Sequence, residues 1–197
     1  MKIARRSILW GLTALTGARN FPAFSQNVPP FLYLRQGNPN AKIKILAFMS
    51  PSCKECMETY RNILQGPLKT EYLDTGNAYL TILPFPISDN DATFITQLAC
   101  GSAGFEKTFE FHMQKGFWKN RPWTLENAAN AGFPIPATLN ECQYSTALSQ
   151  VLLTIREEAI KRWAVNQTPY FVVGENSIAD PNWGRLRDLI NLAEKKP

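Results

Sequence analysis

The heptapeptide Ser50-Pro51-Ser52-Cys53-Lys54-Glu55-Cys56 constrains this chain more than any other stretch, because of what lies on either side of it. Before it, after turn residues Gly37 to Asn40, runs a compact apolar segment, Ile43 to Met49, interrupted only by Lys44. That length and that preceding turn suit a largely buried strand of a parallel or mixed sheet. After it, Cys56, Tyr60, Ile63 and Leu64 recur at helical spacing and so share one helix face. Ser52 followed by Glu55 three residues later has the form of a capping box, which starts the helix at Ser52 and puts Cys53 in its first turn. A cysteine there faces unsatisfied backbone N–H groups and the positive end of the helix dipole, both of which favour thiolate over thiol. Cys56, one turn on, lies nearby, so one sulfur can attack and the other can release. Lys54 adds a positive charge that helps hold a thiolate, and Glu55 a like charge that opposes it; helix capping is the simpler role for Glu55.

The rest of the body alternates sheet and helix signals. Phe31 to Leu34 reads as a short edge strand, and Gly66-Pro67 ends or kinks the helix that begins at the cysteines. Tyr79 to Pro84 is a second strand. Residues 91–165 carry helical periodicity over Thr93–Ala99, Phe105–Lys115, Thr124–Ala131 and Leu139–Trp163, broken by glycine and proline. Thr168-Pro169 introduces the strand Tyr170 to Gly174, and Trp183 to Lys195 closes the chain as an amphipathic helix. The expected fold is therefore α/β, one compact unit over 26–197 with a helical subdomain inserted at about 91–165. Trp118, Trp123, Trp163, Phe117 and Phe133 are assigned to the core of that insertion.

Charge is informative only once it is located. The chain of 197 residues carries 21 Lys plus Arg against 16 Asp plus Glu, a net charge of +5. Lys2, Arg5, Arg6 and Arg19 supply four of these in a segment, residues 1–25, that has no acid, so the remainder stands near +1. A nucleic-acid partner is not expected of so neutral a body. Met1 to Arg6, the apolar stretch Ile8–Ala18 and the small residues around Ala23-Phe24-Ser25 have the three-part form of a secretory signal peptide over 1–25. The apolar stretch falls short of the roughly 20 residues of a spanning helix. Arg5-Arg6 leaves both the general and the twin-arginine export routes open. A periplasmic or secreted location, where disulfides persist, is expected.

On the Cys53-Lys54-Glu55-Cys56 motif after an apolar strand, the long helical insertion, and Thr168-Pro169-Tyr170-Phe171-Val172-Val173-Gly174, the chain resembles the thioredoxin superfamily, and within it the DsbA-like thiol:disulfide oxidoreductases. Phe109-Glu110-Phe111-His112 also looks like part of a helix motif of that branch. The resemblance covers most of residues 42–195. It implies a thioredoxin fold, Cys53 as the exposed nucleophile, Cys56 as the resolving sulfur, Thr168 binding an extended substrate segment through its backbone, and Pro169 in cis against the sulfurs, excluding metal. Two positions depart from the pattern. Ala47 stands where the superfamily places a buried acid that moves the proton of the second cysteine, and Lys54-Glu55 stands where strong oxidants carry histidine.

Of the four cysteines, the motif claims Cys53 with Cys56. The resemblance and the export signal imply a structural disulfide between Cys100 and Cys142, worth roughly 3–4 kcal/mol by loop closure; two free buried thiols and a four-cysteine zinc site are the alternatives. The lone histidine, His112, is read as a satisfied, partly buried side chain. The resemblance thus implies an enzyme exchanging disulfides with cysteine-containing exported proteins, without a cofactor, as a monomer, and with a membrane redox partner to restore its disulfide. A soft-metal module holding Cu(I) on Cys53 and Cys56 is the alternative from another class, and a dedicated thiol reductase the alternative within it. Against copper, the positions before Cys53 lack the methionine that copper chaperones place there.

Overall fold

The computed structural model describes residues 32–99, 104–115 and 146–195. Residues 1–25, where a signal peptide is expected, and Cys100, Cys142, Phe117, Trp118, Trp123 and Phe133 lie outside them. The chain forms strand β1 (Leu34–Gly37), β2 (Ile43–Met49), helix α1 (Lys54–Thr59), β3 (Ala78–Pro84), α2 (Asp89–Ala99), α3 (Gly104–Lys115), α4 (Thr146–Trp163), β4 (Tyr170–Val173), β5 (Asn176–Ala179) and α5 (Trp183–Glu194). The sheet order is β1-β3-β2-β4-β5, with β2 and β3 parallel and every other neighbour antiparallel.

The apolar run at 43–49 becomes the central strand because it can be buried on both faces: Ile43, Ile45, Leu46, Ala47, Phe48 and Met49 are all buried, and Lys44 alone is half-buried. Helix α1 presents Cys56, Met57 and, beyond its end, Tyr60, Ile63 and Leu64 to the core. Past Thr59 the helix widens, so that Gln65 N–H bonds the Tyr60 carbonyl five residues back at 2.9 Å. Pro67 begins a second short helical stretch ending at Leu73, so Gly66-Pro67 kinks the segment and does not end it. Helix α5 buries Leu186 and Ile190 and packs on β2, β4 and β5. Its cap is Asn182, whose side chain accepts Arg185 N–H at 3.0 Å.

Between β3 and β4, helix α2 packs against both α3 and α4, and α3 reaches α1. Phe94, Ile95 and Leu98 of α2, Phe105, Phe109 and Met113 of α3, and Leu152, Ile155 and Ala159 of α4 form their shared core. Trp163, at the end of α4, lies 5.5 Å ring to ring from Phe48 of β2, which ties the insertion to the sheet.

Three boundaries differ from the expectation. The edge strand is Leu34–Gly37, later than Phe31–Leu34, because pairing of backbone groups with β3 (Leu34 opposite Ile82, Gly37 opposite Tyr79) defines it, while the apolar Leu32 and Tyr33 are simply buried. Gly37 ends it at φ +90°, where a side chain would run into the Ala78 carbonyl. Strand β5, Asn176–Ala179, has no counterpart in the sequence pattern, since only Ile178 in it is buried and its residues read as a loop. A tight turn with Gly174 at φ +62° folds it back on β4. The insertion's first helix begins at Asp89, ahead of residue 91, with Ser88 Oγ accepting Asp91 N–H at 3.2 Å.

Candidate active site

The loop Ser50–Ser52 joins the end of β2 to α1 and delivers Cys53. Cys53 is in extended conformation (φ −91°, ψ 120°) and is the N-cap of α1, not a member of its first turn. Its N–H reaches the Ser50 carbonyl at 3.2 Å, and its Sγ accepts the Cys56 N–H at 3.2 Å, so the sulfur occupies the place of a capping oxygen. The expected capping box does not form. Ser52 turns its hydroxyl to Asp91, and Glu55 turns its carboxylate to the Cys53 sulfur at 3.5 Å. Lys54 pairs with Glu58 at 3.5 Å on the surface, with both side chains about half exposed.

Thr168 comes to the same sulfur from 115 residues away. Antiparallel pairing of β2 with β4, Phe48 opposite Tyr170, places the start of β4 beside the end of β2. The Thr168–Pro169 peptide is cis, and the Cys53 thiol donates to the Thr168 carbonyl at 3.3 Å. Pro169 is buried, and its carbonyl accepts the Asp180 N–H at 2.8 Å.

The two sulfurs are unbridged and unlike. The hydrogen bond from Cys56 is the largest influence on Cys53 and holds its thiol below the usual range, against burial, with the Thr168 side chain and the Cys56 N–H in support and Glu55 opposing. Burial pushes Cys56 well above the usual range, and the neighbouring Cys53 sulfur adds to this. The two influences run in opposite directions, so Cys53 is the sulfur of the pair that ionises first. Cys53 is 7% exposed and Cys56 fully buried, so Cys53 is not the exposed residue expected; it meets solvent through a cleft of about 450 Å³ lined by Ser52, Lys54, Glu55, Ile87, Gln167 and Thr168. Ala47 is sealed between Ile82 and Phe171 in the sheet, with no carboxyl at that position. Among the described residues there is no group of three or more His, Cys, Asp or Glu able to hold a metal ion.

Two buried polar residues of the insertion reach the loop. His112 of α3 is 1% exposed, more buried than expected, and its Nε2–H donates to the Pro51 carbonyl at 2.6 Å; burial pushes its pKa down to about 4. Asp91 of α2, also 1% exposed, accepts from Ser50 Oγ at 2.7 Å, Ser52 Oγ at 2.5 Å and Ile87 N–H at 2.9 Å. Sequence reasoning missed Asp91: the spacing Ser88-Asp89-Asn90-Asp91 singles it out from Asp89 as the acid of a helix start, but that signal points to capping of its own helix and not to the cysteine loop.

A family model described as Thioredoxin matches residues 33–191. No curated protein sequence matches the chain. Among solved structures, DsbA of Chlamydia trachomatis superposes with a TM-score of 0.67 at 23% identity, over 81% of this chain and 90% of that one. A protein-disulfide isomerase from Novosphingobium aromaticivorans gives 0.68 at 22% identity, over 84% and 98%. Oxidised BdbD from Bacillus subtilis gives 0.65 at 13%, over 87% and 95%. At these identities the likeness is one of fold: a thioredoxin-like sheet carrying a helical insertion.

Proposed function

The chain belongs to the thioredoxin family, and on that premise we propose that it is a DsbA-like thiol:disulfide oxidoreductase exchanging disulfides with cysteines of exported proteins. The observation that carries the reading is geometric: Cys53 caps α1 with its sulfur on the Cys56 N–H at 3.2 Å, beside the cis Thr168–Pro169 peptide, and the two sulfurs are pushed in opposite directions, Cys53 down and Cys56 up. In the oxidising direction a substrate thiolate attacks Cys53 Sγ of the Cys53–Cys56 disulfide. The S–S bond breaks, Cys56 leaves with the electron pair and takes a proton, and a mixed disulfide remains on Cys53. A second substrate thiolate attacks the substrate sulfur, and Cys53 leaves as thiolate. Two electrons have passed from the substrate dithiol to the enzyme, sulfur to sulfur, so the exchange needs no cofactor.

Influences that stabilise the Cys53 thiolate make the disulfide easier to reduce and favour that direction. Thr168, whose carbonyl faces Cys53 across the cleft, would pair with an extended substrate backbone, and cis-Pro169 would shape that edge. Glu55 would tune the sulfur from the rim, while Lys54, paired with Glu58, would contribute little. The N-terminal segment 1–25 supports a periplasmic or secreted location, and a membrane oxidase would restore the disulfide of the monomer. No described helix is long and apolar enough to cross a membrane. The Cys100–Cys142 bridge belongs to this reading as a staple of the insertion.

The test is disulfide exchange by the purified protein on a reduced, unfolded model protein and on insulin, alongside its equilibrium with glutathione. Exchange abolished by Cys53→Ala, with a potential nearer about −120 mV than about −270 mV, is expected for an oxidant. Tight stoichiometric Cu(I) binding lost in Cys56→Ser, with no exchange above the Cys53→Ala background, would overturn the reading.

A further inference from the structure

We propose that Asp91 is a positioning residue for the thiol pair: its carboxylate, carried on the first helix of the insertion, ties down the Ser50 and Ser52 hydroxyls and thereby fixes the loop that sets both sulfurs. This rests on the thiol-exchange reading and adds to it a residue with no contact to substrate.

The geometry runs as a short chain of contacts. Asp91 Oδ2 accepts from Ser50 Oγ and Oδ1 from Ser52 Oγ, across 41 and 39 residues of sequence. Ser50 Oγ in turn accepts the Ser52 N–H at 3.1 Å, which closes the loop on itself. The Ser50 backbone then meets Cys53 directly, its carbonyl accepting the Cys53 N–H at 3.2 Å, and Cys53 Sγ in turn accepts the Cys56 N–H at 3.2 Å, so the loop bears on both cysteines. Pro51, between the two serines, is held through its carbonyl by His112. Three consecutive residues ahead of the nucleophile are thus gripped by buried side chains of α2 and α3.

Chemistry explains why an acid suits the post. An ionised carboxylate only accepts, and here three donors converge on it, two hydroxyls and the Ile87 N–H, which is the satisfaction a buried charge requires. A residue serving only its own helix would need the Ile87 contact alone.

The sign of one measurement separates positioning from charge. A negative charge near a thiol raises its pKa, so deleting the charge alone would lower the pKa of Cys53. Loosening the loop instead withdraws the N–H bond from Sγ and raises it. The experiment follows alkylation of Cys53 by iodoacetamide against pH, located by mass mapping, in the reduced full chain, with thermal unfolding alongside. Asp91→Ala is expected to slow alkylation on the acid side of the profile by about 10-fold, one pKa unit upward. Asp91→Asn, which keeps one acceptor and offers its amide to the second hydroxyl, is expected to stay within about twofold of the parent or to run faster.

Faster alkylation in both variants, or a lower melting temperature in Asp91→Ala with an unchanged profile, overturns the proposal. Should Asp91→Ala fail to fold, Ser52→Ala removes one arm and is expected to slow alkylation about threefold; an unchanged rate there overturns it equally. Alkylation needs no disulfide substrate, so a parent protein that exchanges no disulfides would defeat the functional reading while the Asp91 result still stands or falls by itself.

Discussion

Replacing Glu55 by glutamine should make Cys53 a stronger acid. Glu55 Oε2 stands 3.5 Å from Cys53 Sγ, and its carboxylate is one of the influences that push Cys53 up, against the hydrogen bonds from Cys56 and from the Thr168 side chain that pull it down. Two unit charges at that separation interact by about 1 kcal/mol in bulk water and about 5 kcal/mol at an effective dielectric of 20. Glu55 is exposed, so water screens the pair and the lower figure governs. About 1 kcal/mol is roughly 0.7 pKa unit, and a fall of about 0.5–1 unit is the expected outcome. Because the thiolate belongs to the reduced protein, the same energy should raise the reduction potential by up to about 20 mV.

The assay is the ultraviolet absorbance of the thiolate against pH in reduced parent and variant, with glutathione equilibration for the potential. It is run at low salt and again near 1 M, where a Debye length of about 3 Å should shrink the difference. Lys54 is the internal control: its ammonium is turned to Glu58, so Lys54→Met should move Cys53 by less than about 0.3 unit. A Cys53 pKa that stays or rises in Glu55→Gln would refute the reasoning, and a larger effect from Lys54→Met would reverse the roles given to the two residues.

Two further outcomes concern stability. His112 is held near pKa 4 against an ordinary 6.5, so below about pH 6.5 the unfolded chain binds a proton that the folded one refuses; stability should fall as pH drops across that window, by up to about 3 kcal/mol. Asp91, raised above 3.8 by burial, works oppositely at the acid end by taking its proton in the folded state first. Urea midpoints from about pH 7 to about pH 4 should therefore slope downward, and less steeply in His112→Gln; equal slopes in the two proteins would show that His112 does not couple. Phe48, fully buried between Phe85 at 6.2 Å and Trp163 at 5.5 Å, joins the sheet to the insertion. Phe48→Ala should cost about 3–5 kcal/mol, or roughly 6–20 °C in melting temperature for a chain of this size; a shift below about 3 °C would mean that the site collapses without a cavity.

What the sequence by itself determined is whatever depends on a residue's immediate neighbours. The bounds of the central strand at 43–49, the buried helix face of Cys56, Tyr60, Ile63 and Leu64, and the reactive pair at a strand-to-helix junction all follow from periodicity and spacing. Thr168-Pro169 is less local: its cis bond was expected only through the motif shared with the family. Tertiary structure alone decided where polar side chains point. Ser52 and Glu55 spell a capping box, but an acceptor delivered by α2 took the serine hydroxyl, and the extended backbone at Cys53 gave its sulfur the capping bond. Asp91 and His112 became parts of the thiol site because two helices distant in sequence press them, buried, onto Ser50, Pro51 and Ser52. Strand β5 exists for a similar reason: its polar residues carry no pattern, and the free edge of β4 supplies the pairing. Hydrogen bonds go to whichever partner lies within about 3 Å once water is excluded, and that choice is made between segments the fold brings together.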